Sequence, residues 1–315
     1  MKNQNLSSTP PVWGVMAAFA AVYVIWGSTY LGIRYAVESI PPFLMAGTRN
    51  LAAGLLLYAF ARARGRPAPL RLEWCNAAIA GGLMLAVGNG GVTWAEQVIP
   101  SSVTALVVAL TPLWMVLFDW LRRGGQSPRP FVMAGLAVGF IGVALLGHGH
   151  GNHRGPAYDW GIAALMMASM GWAAGSIFNR QARKPASPLL GVAMQMMAGG
   201  TLMLGFAAVR GEAAHFAFDR ITPLSAGAWL YLTVFGSLVG YTCYVWLLHA
   251  STPARVATYA YVNPLIAVLL GCTIGHEPFS HELLVAGILI IAAVVLIVRG
   301  GATKAEPATQ CEEVA

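Results

Sequence analysis

Polar and aromatic side chains recur at helical spacing inside long apolar stretches of this sequence. They fall into five groups: Tyr23, Trp26 and Tyr30; Asn89, Thr93 and Glu96; Ser169, Trp172 and Ser176; Tyr241 and Tyr244; and Tyr259 and Asn263. A spacing of three or four residues places each group on one face of a helix. Together the groups predict a cavity with aromatic walls and a few polar anchors, which suits an amphipathic organic molecule. The alternative is that the polar groups form hydrogen bonds between helices and that the tryptophans mark the membrane interface.

Arg49 is the basic residue that lies well inside an apolar run, seven positions after Pro42. At about 1.5 Å per residue it lies roughly 10 Å below the end of a ~30 Å hydrocarbon core. An arginine there costs about 2.5–3.5 kcal/mol and is expected to face protein or a water-filled cavity. Two interpretations stay open: Arg49 binds a carboxylate or phosphate of a substrate, or it is a packing residue that bonds helix-end carbonyls.

Two prolines fall near the middle of apolar runs. Pro112 and Pro264 each remove an intrahelical hydrogen bond and expose a carbonyl one turn earlier. They are predicted to act as hinges or to form part of the site, and the alternative is a static kink that shapes packing. Thr111 and Asn263, directly before them, are the side chains best placed to bond the freed groups.

The composition places the chain in a membrane. Of 315 residues, 57% are hydrophobic and only 10% are charged, whereas a soluble domain carries about 25% charged residues. The net charge of +7 does not indicate a nucleic-acid partner, because the basic residues are scattered between apolar runs. The predicted fold class is an all-α integral membrane protein whose partners are the lipid bilayer and a small-molecule substrate. Ten segments reach the length of a membrane span or come close to it: 12–33, 42–61, 75–95, 102–121, 131–147, 159–178, 188–209, 225–248, 254–274 and 282–299.

The chain is also a duplication. Pro112 and Pro264 lie 152 residues apart, and nearer the start the offset is 146. The matched pairs include Gly88 with Gly240, Trp26 with Trp172, Arg34 with Arg180, Gly54 with Gly200, and Arg49 with Gln195. A site between the two copies would therefore carry the Arg49 charge on one side only. The predicted units are a tail over 1–11, a five-helix repeat over 12–147, a connecting loop over 148–158, a second repeat over 159–299 and a tail over 300–315.

The distribution of basic residues predicts the orientation. With both termini in the cytoplasm, fourteen Lys and Arg residues fall in inner segments and four, Arg34, Arg154, Arg210 and Arg220, fall in outer segments. Because each repeat has an odd number of spans, the second copy runs through the membrane in the opposite sense. Inverted repeats of this kind are typical of secondary transporters, which bind substrate near mid-membrane between the copies.

Motifs for enzymatic chemistry are missing from the sequence. It contains no phosphate loop GxxxxGK[ST], no HExxH zinc motif and no GxSxG elbow, so neither an enzyme nor a cofactor is predicted. His148, His150 and His153, in the glycine-rich run GHGHGNHRG, resemble a loose metal tract. They have no acidic or cysteine partners at ligand spacing beyond Asp159, so no metal site is predicted. Acidic and histidine residues at the predicted outer ends, Glu96, His276, Glu277, His281 and Glu282, are interpreted as solvated loop residues, with sensing of external pH as the alternative.

Several short motifs, taken in order, resemble those of a known family. They are WGSTY at 26–30, PPFLMAGTRNLAAGLLL around Arg49, ALVVALTPL around Pro112, and ATYAYVNPLIAVLLG followed by His276-Glu277-Pro278. The chain resembles the EamA family of the drug/metabolite transporter superfamily over about residues 12–299. The resemblance implies two inverted five-helix repeats around a central cavity and export of small metabolites such as amino acids, or of drugs. The family's glutamate after the ninth span matches Glu277, whereas the first repeat has Gly125 at that position.

The predicted function is therefore a monomeric inner-membrane secondary transporter that exports a small amphipathic metabolite by alternating access, with proton coupling or uniport left open. The alternative is a passive uniporter or channel-like facilitator for the same molecules, and an integral-membrane enzyme is a more distant one. Substrate-binding residues are predicted to be Tyr23, Trp26, Tyr30, Arg49, Asn89, Thr93, Thr111, Trp172, Ser176, Gln195, Tyr241, Tyr244, Tyr259 and Asn263, with Pro112 and Pro264 as hinges.

Overall fold

The structure is a computed structural model that describes residues 11–121, 130–147, 155–214, 216–251 and 258–301. These residues form helices and connecting turns, and no strand occurs among them. In chain order the α-helices are α1 Val12–Val37, α2 Pro42–Ala63, α3 Arg71–Gly81, α4 Gly90–Ala95, α5 Ser101–Val108, α6 Thr111–Leu121, α7 Pro130–Gly147, α8 Pro156–Gln181, α9 Pro188–Val209, α10 Pro223–Tyr231, α11 Gly240–Ala250, α12 Tyr259–Thr273 and α13 His281–Gly301. π-Helical segments Gly82–Asn89 and Leu232–Val239 join α3 to α4 and α10 to α11, and a short 3₁₀ turn spans Phe218–Arg220.

Several helices are long enough to cross the hydrocarbon core of a bilayer. Seven helical stretches of the described chain are long and apolar enough to cross a membrane: Val12–Val37, Pro42–Ala63, Arg71–Ala95, Ser101–Leu121, Pro156–Gln181, Pro188–Val209 and Pro223–Tyr244. Three shorter apolar helices are Pro130–Leu146, Val262–Thr273 and His281–Leu296. The all-helical membrane class is thus confirmed, while the prediction of ten spans in two repeats stays a prediction.

The ends of α2 and α9 follow from the same local chemistry. Each helix begins on a proline, Pro42 or Pro188, whose missing N–H costs nothing at the first helical position. Each ends at a glycine with positive φ, Gly65 at 74° and Gly211 at 71°. A left-handed residue at this place lets the next amide bond back to the last turn, as Arg66 N does to Ala61 O at 3.2 Å.

The helices pack in pairs that match under exchange of the two halves of the chain. Helix α1 packs against α12 and against the continuous helix of α10 and α11, while α8 packs against α5 and α6 and against the continuous helix of α3 and α4. Helices α2 and α9 pack against each other, and so do α7 and α13. Since α1 corresponds to α8 and α2 to α9 in the sequence duplication, the contacts have an approximate two-fold pattern.

Glycine permits the close approach of α2 and α9. A Cβ on Gly54 of α2 would lie 2.8 Å from Met197 N of α9, and a Cβ on Gly200 of α9 would lie 2.7 Å from Leu51 N of α2. Both distances are shorter than atoms can tolerate, so only glycine lets the two backbones meet here. Van der Waals contact between small residues is the main attraction between helices in lipid, where the hydrophobic effect is absent. Gly54 and Gly200 are matched residues of the duplication and hold the centre of the fold together.

Candidate functional site

A cluster of aromatic rings surrounds Trp26, where α1 meets α11 and α12. The Trp26 ring centroid lies 5.5 Å from that of Tyr241, 5.0 Å from Tyr244 and 5.4 Å from Tyr259. Trp26 Nε1 donates to the carbonyl oxygen of Gly236 at 3.2 Å. Gly236 belongs to the second π-helical segment, so Trp26 bonds to a carbonyl of an irregular turn. π-Helical turns frequently occur at functional sites. The sequence predicted these rings as the walls of a cavity, and in this structure the rings pack directly on one another.

Two further predicted residues join α1 to α12. The Tyr23 hydroxyl makes a short hydrogen bond with Thr258 Oγ1. Asn263 is buried, and its amide nitrogen, oriented by its hydrogen-bonding surroundings, donates to the carbonyls of Tyr259 at 3.2 Å and Tyr23 at 3.3 Å. These bonds tie the backbones of α1 and α12 together beside the aromatic cluster.

Arg49 is the buried charge of the site. Arg49 is 4% exposed, and its Nη2 donates to Asn89 Oδ1 at 2.5 Å. Asn50 Nδ2 approaches the same oxygen at 3.5 Å and donates to Ala46 O at 2.8 Å. Arg49 Nε has no hydrogen-bond partner. The guanidinium is therefore held at one nitrogen and keeps donor capacity for another acceptor.

Arg49 connects the polar and aromatic groups. It interacts electrostatically with Tyr241, whose ring contacts Trp26. Asn89 and Tyr241 are matched positions of the duplication, 152 residues apart, so Arg49 lies between equivalent points of the two halves. Asn89 ends the first π-helical segment and Gly236 lies within the second, so both irregular segments adjoin this site.

The remaining predicted residues bond mainly to nearby backbone. Thr93 Oγ1 donates to Asn89 O at 2.8 Å, Thr111 Oγ1 to Val108 O at 2.7 Å, and Ser176 Oγ to Trp172 O at 2.7 Å. Gln195 Nε2 donates to Asn179 Oδ1 at 3.0 Å, away from its matched residue Arg49. Trp172 packs over Gly88, and Trp26 packs in the same way over the matched Gly240. Tyr30 of α1 contacts the main hydrophobic core. The structure thus brings Trp26, Arg49 and Asn89 together with Tyr241, Tyr244 and Tyr259. It leaves Thr111, Ser176 and Gln195 outside this cluster.

The two prolines differ in their surroundings. Pro112 follows a break between α5 and α6 at residues 109–110, and Thr111 Oγ1 bonds the Val108 carbonyl that the proline frees, as the sequence predicted. Pro264 lies inside the unbroken helix α12, and the preceding Asn263 bonds the Tyr259 carbonyl instead. The hinge role of both residues stays a prediction.

Glu277 was interpreted as a solvated loop residue, and that prediction is wrong. Its side chain is 0% exposed and accepts hydrogen bonds from Ser101 N at 2.7 Å, Ser101 Oγ at 2.8 Å and Ser102 N at 3.0 Å. Arg34 Nη1 at the end of α1 forms an ion pair with the same carboxylate at 2.5 Å. Burial acts to raise the pKa of Glu277, but the hydrogen bonds from Ser102 and Ser101 outweigh it and hold the pKa below its ordinary value. Glu277 therefore caps α5 as an anion and links it to α1.

Glu96 is the second acidic residue whose predicted solvation is wrong. It follows α4, is 3% exposed, and neither carboxylate oxygen has a hydrogen-bond partner. A backbone contact with Arg34 does not reach hydrogen-bonding geometry. His276 and His281 are exposed, as predicted. The carboxylates were missed because the sequence around them shows only a turn, and the neighbours that bury them are distant along the chain.

Metal ligation has no support in the part of the chain that the structure describes. No three His, Cys, Asp or Glu residues come together there as ligands. The histidine tract of residues 148–153 lies outside the described residues.

The fold and this site define a multi-span membrane protein with a buried polar and aromatic centre between two similar halves. The profile of the EamA-like transporter family matches residues 12–147 and 159–299. The chain belongs to this family of membrane transporters, and the resemblance seen in the sequence is confirmed.

Curated relatives agree with the family. The chain is 40% identical over 288 residues to the uncharacterized inner membrane transporter YedA of Escherichia coli (strain K12), covering 91% of this chain and 90% of that protein. It is 27% identical to the uncharacterized transporter YvbV of Bacillus subtilis (strain 168), covering 88% and 89% of the two chains. It is 26% identical to protein PecM of Dickeya dadantii (strain 3937), covering 87% and 88%. A solved structure with 21% identity matches with a TM-score of 0.60 over 90% of this chain and 95% of its own, which shows the fold alone.

Proposed function

We propose that this protein is a secondary transporter of the bacterial inner membrane that exports a small amphipathic metabolite, amino acid-like or drug-like, by alternating access. The observation that carries the proposal is the two-fold pattern of helix contacts around Arg49 and Trp26. Helices α1 and α8 make equivalent contacts in the two halves, and α2 and α9 meet at matched glycines. Two equivalent halves around a central site can exchange which side of the membrane is open.

The proposed topology has ten spans in two inverted repeats, residues 12–147 and 159–299, with both termini in the cytoplasm. The excess of Lys and Arg in the inner segments supports this orientation. The relative YedA is named an inner membrane transporter, which supports the same location here. The end that contains Arg34 then faces the periplasm, and the end that contains Arg180 faces the cytoplasm.

Recognition of the substrate centres on Arg49 and the Trp26 cluster. The free donor capacity of Arg49 suits a carboxylate or another anionic group. The rings of Tyr241, Tyr244 and Tyr259 would separate around the apolar part of the substrate, since aromatic walls with few polar anchors are typical of such sites. Pro112 and Pro264 are proposed as the hinges at which the helices bend.

Transport assays in proteoliposomes test this function. The purified protein should catalyse saturable uptake and counterflow of at least one compound from a panel of radiolabelled amino acids and amphipathic drugs. Lack of protein-dependent flux for the whole panel would refute the carrier. Saturable uptake without stimulation by substrate on the opposite side would instead indicate the passive facilitator.

Arg49→Ala tests the site within the same assay. It should reduce transport of an anionic or zwitterionic compound by about tenfold or more, because a buried charge-assisted contact contributes about 1.5–3 kcal/mol, and it should affect a neutral compound less. Gln195→Ala, the matched position in the other half, is the control and should change transport little. Equal transport by Arg49→Ala and the unaltered protein, at equal abundance, would remove Arg49 from the site.

A further inference from the structure

Glu96 is a buried carboxylic acid without hydrogen-bond partners. It lies in the turn that connects α4 to α5, five and six positions before Ser101 and Ser102, the serines that Glu277 binds. Neither of its oxygens is accessible to solvent, and neither receives a hydrogen bond. An ionised carboxylate in such a place loses several kcal/mol of hydration without replacement, so the neutral acid is the form that this packing accepts.

Four ionisable groups from three other parts of the chain face Glu96. Tyr30 and Arg34 interact with it electrostatically from α1, Arg49 from α2, and Glu277 from the connection between α12 and α13. Burial, followed by the nearby Glu277 carboxylate, raises the pKa of Glu96 well above its ordinary value, and the two arginines oppose this effect only partly. Arg34 pairs with Glu277 and Arg49 donates to Asn89, and neither arginine makes a hydrogen bond to the Glu96 carboxyl oxygens.

We propose that Glu96 is a proton-binding site and that its loss of a proton is coupled to opening of the Arg34 end. The Arg34 end is the region formed by the C-terminal turn of α1 and residues 96–100 and 274–280. In the closed arrangement described here Glu96 holds a proton. When this end opens, water reaches the carboxyl group, which releases its proton to that water and becomes an anion. The reverse step takes one proton from the same water as the end closes. This coupling rests on the proposed alternating access and supplies it with a proton linkage.

The sign of the pH effect follows from the burial. The closed end binds one proton more than the open end between the ordinary pKa of a glutamate and the raised value of Glu96. Raising the pH through that range therefore favours the open form, by up to about tenfold in the opening equilibrium for each pH unit. Glu277 stays ionised in the same range because its pKa is lowered, so it does not cause the effect.

The proton itself can be observed without any substrate. Infrared difference spectra of the purified protein, recorded between acidic and alkaline pH, should contain the carbonyl band of a protonated buried carboxylic acid. Glu96→Gln should remove this band, Glu96→Asp should shift it, and Glu38→Gln should leave it unchanged because Glu38 is an exposed acid near the same end. A band that persists unchanged in both Glu96 variants would overturn the proposal. Since no transport is measured, this outcome is independent of the proposed function.

The coupling to opening is tested with a reporter thiol. In a background without native cysteines, Val103→Cys, which replaces a residue 8% exposed in α5, should react with an impermeant maleimide faster as pH rises from about 5 to about 8. Ala213→Cys, an exposed position in the loop after α9, corrects for the pH dependence of the thiol reaction. Glu96→Gln should abolish the corrected pH dependence and keep the reaction slow. A slope that survives in Glu96→Gln would belong to other groups of this end, such as His276 and His281, and would overturn the proposal.

Discussion

Arg34 and Arg180 occupy matched positions of the duplication, and their surroundings differ. Arg34 pairs with Glu277 at 2.5 Å, and the Glu277 side chain is 0% exposed and bonded to two serines of α5. Arg180 lies 3.8 Å from Asp119, and the two side chains are 68% and 46% exposed. The first pair joins a partly exposed arginine to a buried carboxylate that has further hydrogen bonds. The second is an exposed contact of the kind that contributes little.

This difference shows that the two halves share their helix packing but not their end contacts. Helix pairing depends on small residues such as Gly54 and Gly200, which the duplication has kept in both copies. The end contact depends on one acidic residue, Glu277, whose matched position is Gly125. Glu277 thus joins α1 to α5 at the Arg34 end through a buried carboxylate, whereas the ion pair of Arg180 with Asp119 lies between exposed side chains. Under the proposed alternating access, an unequal pair of ends would let one side of the membrane open in response to a different signal from the other.

The largest effect is expected from Glu277→Ala. It removes the anion that pairs with Arg34 and leaves the amides of Ser101 and Ser102 without an acceptor. Breaking one partner of a buried pair costs about 3–5 kcal/mol. Because Arg34 is partly exposed, the free energy of unfolding should fall by about 3 kcal/mol, the lower end of this range. Denaturant unfolding of the detergent-solubilised protein measures it. A loss below about 1 kcal/mol would show that the Arg34 end is not held by this carboxylate.

A smaller effect is expected from Arg34→Gln, with Arg180→Gln as the matched control. The Glu277 carboxylate keeps its three serine hydrogen bonds when Arg34 is replaced, so the free energy of unfolding should fall by about 1–2 kcal/mol. The exposed Arg180 should contribute less than about 1 kcal/mol when it is replaced. Equal losses in the two variants would contradict the distinction between the ends.

The smallest effect is expected from acid, which should gradually reduce the stability of the Arg34 end. The folded pKa of Glu277 is lower than its ordinary value of 4.5, so its stabilising contribution is complete above that pH and is lost as pH falls through the folded pKa. Hydrogen-exchange protection of the Ser101 and Ser102 amides, corrected for intrinsic exchange, should fall by up to about tenfold per pH unit in this acidic range. Glu277→Gln should remove this dependence. Protection that changes equally with pH in both proteins would assign the acid effect to another group.

Sequence patterns predicted the helices well because their signal is local. Apolar runs and prolines such as Pro42 and Pro188 set where α2 and α9 begin, and the break before Pro112 and its bond from Thr111 follow from the missing proline N–H. The same reasoning placed Trp26, the pair Tyr241 and Tyr244, and Tyr259 on separate helix faces and did not predict that their rings touch. It gave no sign of the two π-helical segments, which place Asn89 against Arg49 and the Gly236 carbonyl against Trp26.

The sequence by itself determined that the chain lies in a membrane and resembles this transporter family, and it predicted a duplication, because hydrophobicity and short motifs can be recognised along the chain without its fold. Only the tertiary structure decided that Glu96 and Glu277, both in polar turns, are buried, and that one is bonded while the other is not. Burial of a turn depends on helices that are more than a hundred residues away, as Ser101 is from Glu277. A single sequence does not record that distance, and the chemistry of this protein depends on it.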